Sequence, residues 1–69
     1  MLNYYNIVIV GLGYVGLPLA VSMVKKYNRV VAYDIDINRI SELQRGWDRT
    51  NEITSDELQS IKLSFTSEL

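Results

Sequence analysis

Three glycines spaced as G-x-G-x-x-G, at Gly11, Gly13 and Gly16, are the first residues of this chain that suggest chemistry. In a turn from a strand into a helix, the first glycine permits the tight bend and the third lets the helix approach the strand. The second lacks a Cβ, so a pyrophosphate can approach the backbone there. The N–H groups around Tyr14 and Val15 would face it at the positive end of the helix dipole. The spacing therefore predicts a phosphate site of the dinucleotide-binding type.

A carboxylate beyond the turn supports this interpretation, because a glycine-rich turn alone is a weak signal. Asp34 ends a second apolar run 18 residues after Gly16, where dinucleotide sites place an acid on the ribose hydroxyls. Its charge would repel a 2′-phosphate, which favours NAD over NADP. The simpler alternative is that Asp34 only caps the next helix.

Arg39 has two interpretations that the pattern leaves open. It lies one turn into the second predicted helix, where it either flanks the adenosine of a bound nucleotide or is a solvated arginine on the helix surface. The other carboxylates are most simply solvated or capping groups, and no pair of them suggests an acid/base site. They are Asp36, Glu42, Asp48, Glu52, Asp56 and Glu57. No catalytic residue is predicted in this chain.

Length and composition exclude several classes of protein. A chain of 69 residues forms one compact unit at most, which rules out a complete two-domain enzyme. With 48% hydrophobic residues, 22% charged residues and a net charge of -1, it is typical of a globular segment and lacks the basic stripe of a nucleic-acid binder. Cysteine and histidine are absent, which removes disulfides, thiol and imidazole catalysis and most zinc sites, so we expect no metal.

The hydrophobic pattern predicts alternating strands and helices. Tyr5 to Val10 is a nearly continuous β-branched run, typical of a strand buried on both faces. From Leu12 to Tyr27 apolar residues recur at helical spacing, with Val15 and Leu19 on the buried side. A second strand is predicted over Arg29 to Tyr33. The next helix is capped by Asp36 or Asn38, packs through Ile37, Ile40 and Leu43 and stops at Gly46. A short helix over Ser55 to Ser60, with Thr54 and Glu57 as its capping box, precedes a third strand over Ile61 to Phe65.

This order predicts an α/β fold, namely the Rossmann-type βαβαβ half of a doubly wound parallel sheet with strand order 3-2-1. The uncharged stretch from Tyr4 to Val24, followed by Lys25 and Lys26, has a membrane span as its alternative interpretation. Three glycines and Pro18 divide that stretch into a β-branched block and a helical block. This division favours a buried strand and helix, so we expect no membrane span.

Three segments resemble the N-terminus of the UDP-glucose/GDP-mannose dehydrogenase family: GLGYVGLPLA (11–20), AYDID (32–36) and NRISELQRG (38–46). The segment GWDRTNE (46–52) is similar to the GxDxTxE stretch of members that act on UDP-N-acetylhexosamines. The resemblance implies that residues 1–69 are the N-terminal part of an NAD-binding Rossmann domain. It places the cofactor contacts at Gly11, Leu12, Gly13, Tyr14, Val15, Gly16, Asp34 and Arg39.

The resemblance also implies a reaction. Members of the family oxidise the C6 hydroxymethyl of a nucleotide sugar to a carboxylate in two NAD-dependent hydride transfers, through a thiohemiacetal and a thioester on a cysteine that this sequence lacks. We therefore expect a cytoplasmic, homo-oligomeric parent enzyme that oxidises a UDP-N-acetylhexosamine or UDP-glucose for polysaccharide biosynthesis. The chain alone is expected to be inactive. The alternative is a stand-alone nucleotide-binding module without chemistry, because a fold alone does not confer a function.

Overall fold

The computed structural model describes residues 7–68, which form one parallel sheet with helices between its strands. The elements are β1 (Ile7–Val10), α1 (Gly16–Lys26), β2 (Val30–Tyr33), α2 (Ile37–Gln44), α3 (Ser55–Ser60) and β3 (Ser64–Thr66). β2 lies between β1 and β3. The predicted α/β class and strand order are confirmed, since 3-2-1 is the same order read from the other edge. Tyr5 and Asn6 of the first predicted strand lie outside the described residues.

The register of the sheet brings the ends of β1 and β2 together. Val10 lies opposite Tyr33, and both pairs of neighbouring strands run parallel. Whatever follows β1 and β2 along the chain therefore meets at one edge of the sheet. In open parallel sheets this carboxyl edge is where ligands bind.

The core lies between the helices and one face of the sheet. Its fully or nearly fully buried members are Leu12, Leu17, Ala20, Val21, Val30, Ala32, Ile40, Leu43, Leu58 and Leu63. Ile7 and Ile9 of β1 pack against this cluster, whereas Val8 and Val10 are exposed. The prediction that the first strand is buried on both faces is thus wrong, because only the face with the isoleucines contacts the core.

The first helix also differs from its prediction. α1 begins at Gly16 rather than Leu12, and it buries Leu17, Ala20 and Val21. Val15 and Leu19, expected on the buried side, are exposed. The sequence carries two apolar stripes at helical spacing, and periodicity alone does not tell which one faces the sheet.

The second and third helices begin where the sequence predicts, but only half of the predicted capping box forms, because within residues 7–68 the Glu57 side chain binds Lys25 and not the Thr54 N–H. Asp36 caps α2 by accepting hydrogen bonds from the N–H groups of Asn38 and Arg39, and Thr54 caps α3 by accepting one from Glu57. Gly46 follows α2 with a φ of 88°, the left-handed conformation expected there. Ile37 was expected to pack but is exposed. Within residues 7–68, every helix is too short or too polar to traverse a lipid bilayer.

Candidate functional site

The glycine-rich turn joins β1 to α1 at the carboxyl edge of the sheet. Gly11 has a φ of 91°, a conformation that favours glycine, and its N–H donates to the carbonyl of Tyr33 at 2.8 Å. A Cβ at Gly16 would overlap the backbone carbonyl of Gly11. These two glycines therefore set the bend and the close approach of α1 to β1, as their spacing predicts.

Gly13 has different surroundings. No heavy atom lies within 4 Å of the position that a Cβ would take there. The neighbouring Tyr14 and Val15 are exposed, and Val15, at the N-cap of α1, makes no side-chain capping hydrogen bond. The first N–H groups of a helix have no intrahelical acceptor, so the start of α1 offers donors and open space to an anion.

The peptide groups around Leu12 are held from both directions. The Leu12 N–H donates to Oδ2 of Asp34 at 2.9 Å. The Leu12 carbonyl accepts from Nε and Nη2 of Arg39 at 2.8 and 2.6 Å. Two residues that the sequence singled out thus meet at one residue of the turn.

Asp34 lies at the end of β2, beside the turn. Its Oδ1 accepts the N–H of Asp36 at 2.9 Å, while Asp36, not Asp34, caps α2. The alternative that Asp34 only caps a helix is therefore wrong. Burial raises the pKa of Asp34, but the hydrogen bonds from the backbone of Asp36 and Leu12 and the charges of Arg39 and Arg49 outweigh it and lower that pKa. The carboxyl is an anion at neutral pH.

Arg39 lies beneath the turn rather than on the helix surface. It is 4% exposed, so the interpretation as a solvated surface arginine is wrong. Besides the Leu12 carbonyl, its guanidinium binds Oδ1 of Asp48 through Nη1 at 2.8 Å. That Arg39 flanks the adenosine of a bound nucleotide stays a prediction.

Asp48 is the functional candidate that sequence reasoning missed. It was grouped with solvated or capping carboxylates, yet it is 3% exposed. Hydrogen bonds from Arg39, from the Thr50 side chain and from backbone N–H groups of Thr50 and Ile53 hold its pKa well below the usual range despite burial. The spacing of Asp48 and Thr50 is typical of a turn in which an aspartate accepts the N–H two residues on. That signal predicts the turn but not its burial against Arg39.

An apolar cleft of about 580 Å³ adjoins the turn on the side of Gly13. Its lining includes Val8 and Val10 of β1, Tyr14 and Val15 of the turn, and Leu19 of α1. The edge of the sheet thus combines a helix start without a side-chain cap, a fixed carboxylate and an apolar surface. Dinucleotide ligands have parts that suit each of these.

The fold and this turn define the dinucleotide-binding class of α/β domains. The chain belongs to the UDP-glucose/GDP-mannose dehydrogenase family, because the sequence model of that family's NAD-binding domain matches residues 5–69. NAD is accordingly the cofactor of the domain to which these residues belong.

Curated relatives agree with the family. Protein CapL of Staphylococcus aureus is 48% identical over 62 residues, which cover 90% of this chain and 14% of that protein. The UDP-N-acetyl-D-glucosamine 6-dehydrogenase of Pseudomonas aeruginosa is 52% identical, and the enzyme of that name from Salmonella typhi is 50% identical, each over 65 residues. Both alignments cover 93% of this chain and 15% of the relative. The chain therefore spans about a seventh of the length of these relatives. No solved structure matches it.

Proposed function

We propose that residues 1–69 form the N-terminal part of an NAD site in which the turn from Gly11 to Gly16 holds the pyrophosphate and Asp34 holds the adenosine ribose. The observation that carries this proposal is the open space at Gly13 beside an uncapped helix start, with the Asp34 carboxylate fixed next to it. Leu12, Tyr14 and Val15 contribute turn backbone. Arg39 is included in the site, behind Leu12.

The charge of Asp34 selects between the two nicotinamide cofactors. The carboxylate keeps its negative charge at neutral pH, because its pKa is lowered by backbone hydrogen bonds and nearby arginines. Ribose hydroxyls donate to such a group, whereas a 2′-phosphate is repelled by it. We therefore propose NAD as the cofactor and expect NADP to bind much more weakly.

For the full-length protein we propose oxidation of the C6 hydroxymethyl of a UDP-sugar, either a UDP-N-acetylhexosamine or UDP-glucose. Bound NAD would supply the hydride acceptor. The residues of this chain would bind and orient it, and none of them is proposed as catalytic. The names of two relatives at about 50% identity support a UDP-N-acetylglucosamine substrate. We place the enzyme in the cytoplasm, as a homo-oligomer that serves polysaccharide biosynthesis.

Substituting Gly13 tests the site without disturbing the fold. In full-length Gly13→Ala, the added methyl group meets no protein atom but enters the space proposed for the pyrophosphate. We expect the melting temperature to stay within about 2 °C of the wild type and the Kd for NAD to rise at least about tenfold, equivalent to ~1.4 kcal/mol. Isothermal titration calorimetry measures the affinity.

One control variant and one activity assay accompany the Gly13→Ala measurement. Ser22→Ala, on the exposed side of α1, should leave both quantities unchanged. Absorbance of NADH during incubation with NAD and UDP-N-acetylglucosamine or UDP-glucose tests the reaction and separates an enzyme from a binding module without chemistry. The proposal would be contradicted if the wild-type protein did not bind NAD, or if it bound NAD and NADP with equal affinity.

A further inference from the structure

Two buried side chains connect the glycine-rich turn to the loop that follows α2. The Arg39 and Asp48 side chains are 5% and 0% exposed and form an ion pair at 2.8 Å. On its other side, the Arg39 guanidinium donates twice to the Leu12 carbonyl. A planar guanidinium is suited to bridging two acceptors in this way, because its donors have fixed directions.

Asp48 accepts hydrogen bonds from residues of its own loop in addition to the one from Arg39. Oδ1 accepts from the Thr50 N–H at 3.0 Å and from the Thr50 hydroxyl at 2.7 Å. Oδ2 accepts from the N–H groups of Glu52 and Ile53 at 2.8 and 2.9 Å. The loop from Asp48 to Ile53 is thus folded around one carboxylate, and that carboxylate fixes Arg39.

Fixing the Leu12 carbonyl also fixes the next amide. In a planar trans peptide, the N–H points opposite to the C=O, so a Leu12 carbonyl directed at Arg39 turns the Gly13 N–H the other way. Within residues 7–68, the Gly13 N–H has no hydrogen-bond acceptor. It is therefore a free donor on the open side of the turn.

We propose that Arg39 and Asp48 are positioning residues that aim the Gly13 N–H at the pyrophosphate by holding the Leu12 carbonyl inward. This inference rests on the proposed NAD site. It assigns a role to the segment from Gly46 to Glu52 that the cofactor contacts alone leave unexplained. A pair that served only the stability of the fold would not discriminate between ligands with and without a pyrophosphate.

The test compares three ligands on the full-length protein: NAD, ADP and adenosine. Arg39→Lys keeps a charge near Asp48 but loses the double hydrogen bond to Leu12. We expect its Kd for NAD and for ADP to rise about tenfold, as for one lost charge-assisted hydrogen bond, while adenosine affinity changes less than about twofold. Arg45→Lys, an exposed arginine at the C-terminal end of the same helix, is the matched control and should change none of the three.

A second, less disruptive variant tests the positioning role if Arg39→Lys does not fold. Thr50→Val removes one hydrogen bond from Asp48 and keeps the side-chain shape, so we expect the same ordering of ligands with a rise of about twofold to threefold for NAD and ADP. Unchanged affinities in folded variants, or equal losses for all three ligands, would overturn the positioning role. Wild-type protein that does not bind NAD would instead overturn the proposed function, and this inference with it.

Discussion

At the residue scale, the three glycines of the turn differ in what surrounds them. Gly11 needs a positive φ, Gly13 borders open space, and Gly16 touches the backbone of Gly11. One motif therefore combines two glycines that the fold requires with one, Gly13, that the fold does not require and for which we propose a role in binding. We therefore expect substitution of Gly13 to weaken the affinity for NAD, and substitution of Gly16 to lower the free energy of unfolding.

Gly16→Ala is expected to destabilise the protein. Its methyl group would overlap the Gly11 carbonyl, which is backbone and cannot rotate away, so α1 must shift from β1. Overpacking of this kind costs about 1–3 kcal/mol, and contact with backbone places the expected loss at the upper end. Urea unfolding of the full-length protein measures it. A variant as stable as the wild type would show that α1 moves freely against the sheet.

At the element scale, capping side chains mark the starts of α2 and α3. α3 has only six residues, so its stability depends strongly on its ends. Thr54 accepts the Glu57 N–H at 3.2 Å, and the Glu57 side chain forms an ion pair with Lys25 at the end of α1. The cap of α3 and its contact with α1 therefore involve the same residue.

Thr54→Ala should cost about 1 kcal/mol of unfolding free energy, because it leaves the Glu57 N–H without its acceptor. Ser55→Ala, at the exposed next position, is the control and should change the free energy by less than about 0.5 kcal/mol. Chemical denaturation of both variants gives the comparison. Equal values for the two would mean that the cap contributes nothing to α3.

Local signals predicted these elements better than periodicity did. The caps at Asp36 and Thr54 and the glycine at Gly46 are confirmed, because each depends on a hydrogen bond or a φ value within a few residues. The prediction of which face of α1 is buried was wrong, because the buried face depends on which of the two apolar stripes contacts the sheet. The burial of Asp48 was missed for the same reason, since Arg39 is its partner only in the folded chain. That the cofactor site lies on the turn from Gly11 to Gly16, as the resemblance to the family implies, stays a prediction.

At the scale of the whole molecule, buried charge makes folding depend on pH. Asp48 has a lowered pKa in the folded chain, from hydrogen bonds and Arg39, against an ordinary value of about 3.9 when unfolded. A lowered folded pKa means that the unfolded chain takes up the proton first. The stabilisation by Asp48 is therefore complete above about pH 4 to 5 and is lost as the pH falls through and below that range.

Asp48→Asn should reduce the unfolding free energy by about 3–5 kcal/mol near pH 7, because Arg39 keeps its charge but loses its buried partner. The difference from the wild type should shrink below about pH 4, where the unfolded wild type binds the extra proton. Denaturant unfolding at a series of pH values measures it. Asp56→Asn, at an exposed carboxylate of α3, is the control. A pH-independent difference would contradict a lowered pKa for Asp48.

The hydrogen bond from the Leu12 N–H to Asp34 has a consequence for redesigning cofactor preference. Replacing Asp34 by a small neutral residue removes the repulsion toward a 2′-phosphate, but it also deprives Leu12 of its acceptor at the start of the turn. A variant designed for NADP would therefore need a substitute acceptor as well as a new cation. The proposed preference for NAD and the shape of the turn proposed to hold it therefore depend on the same carboxylate.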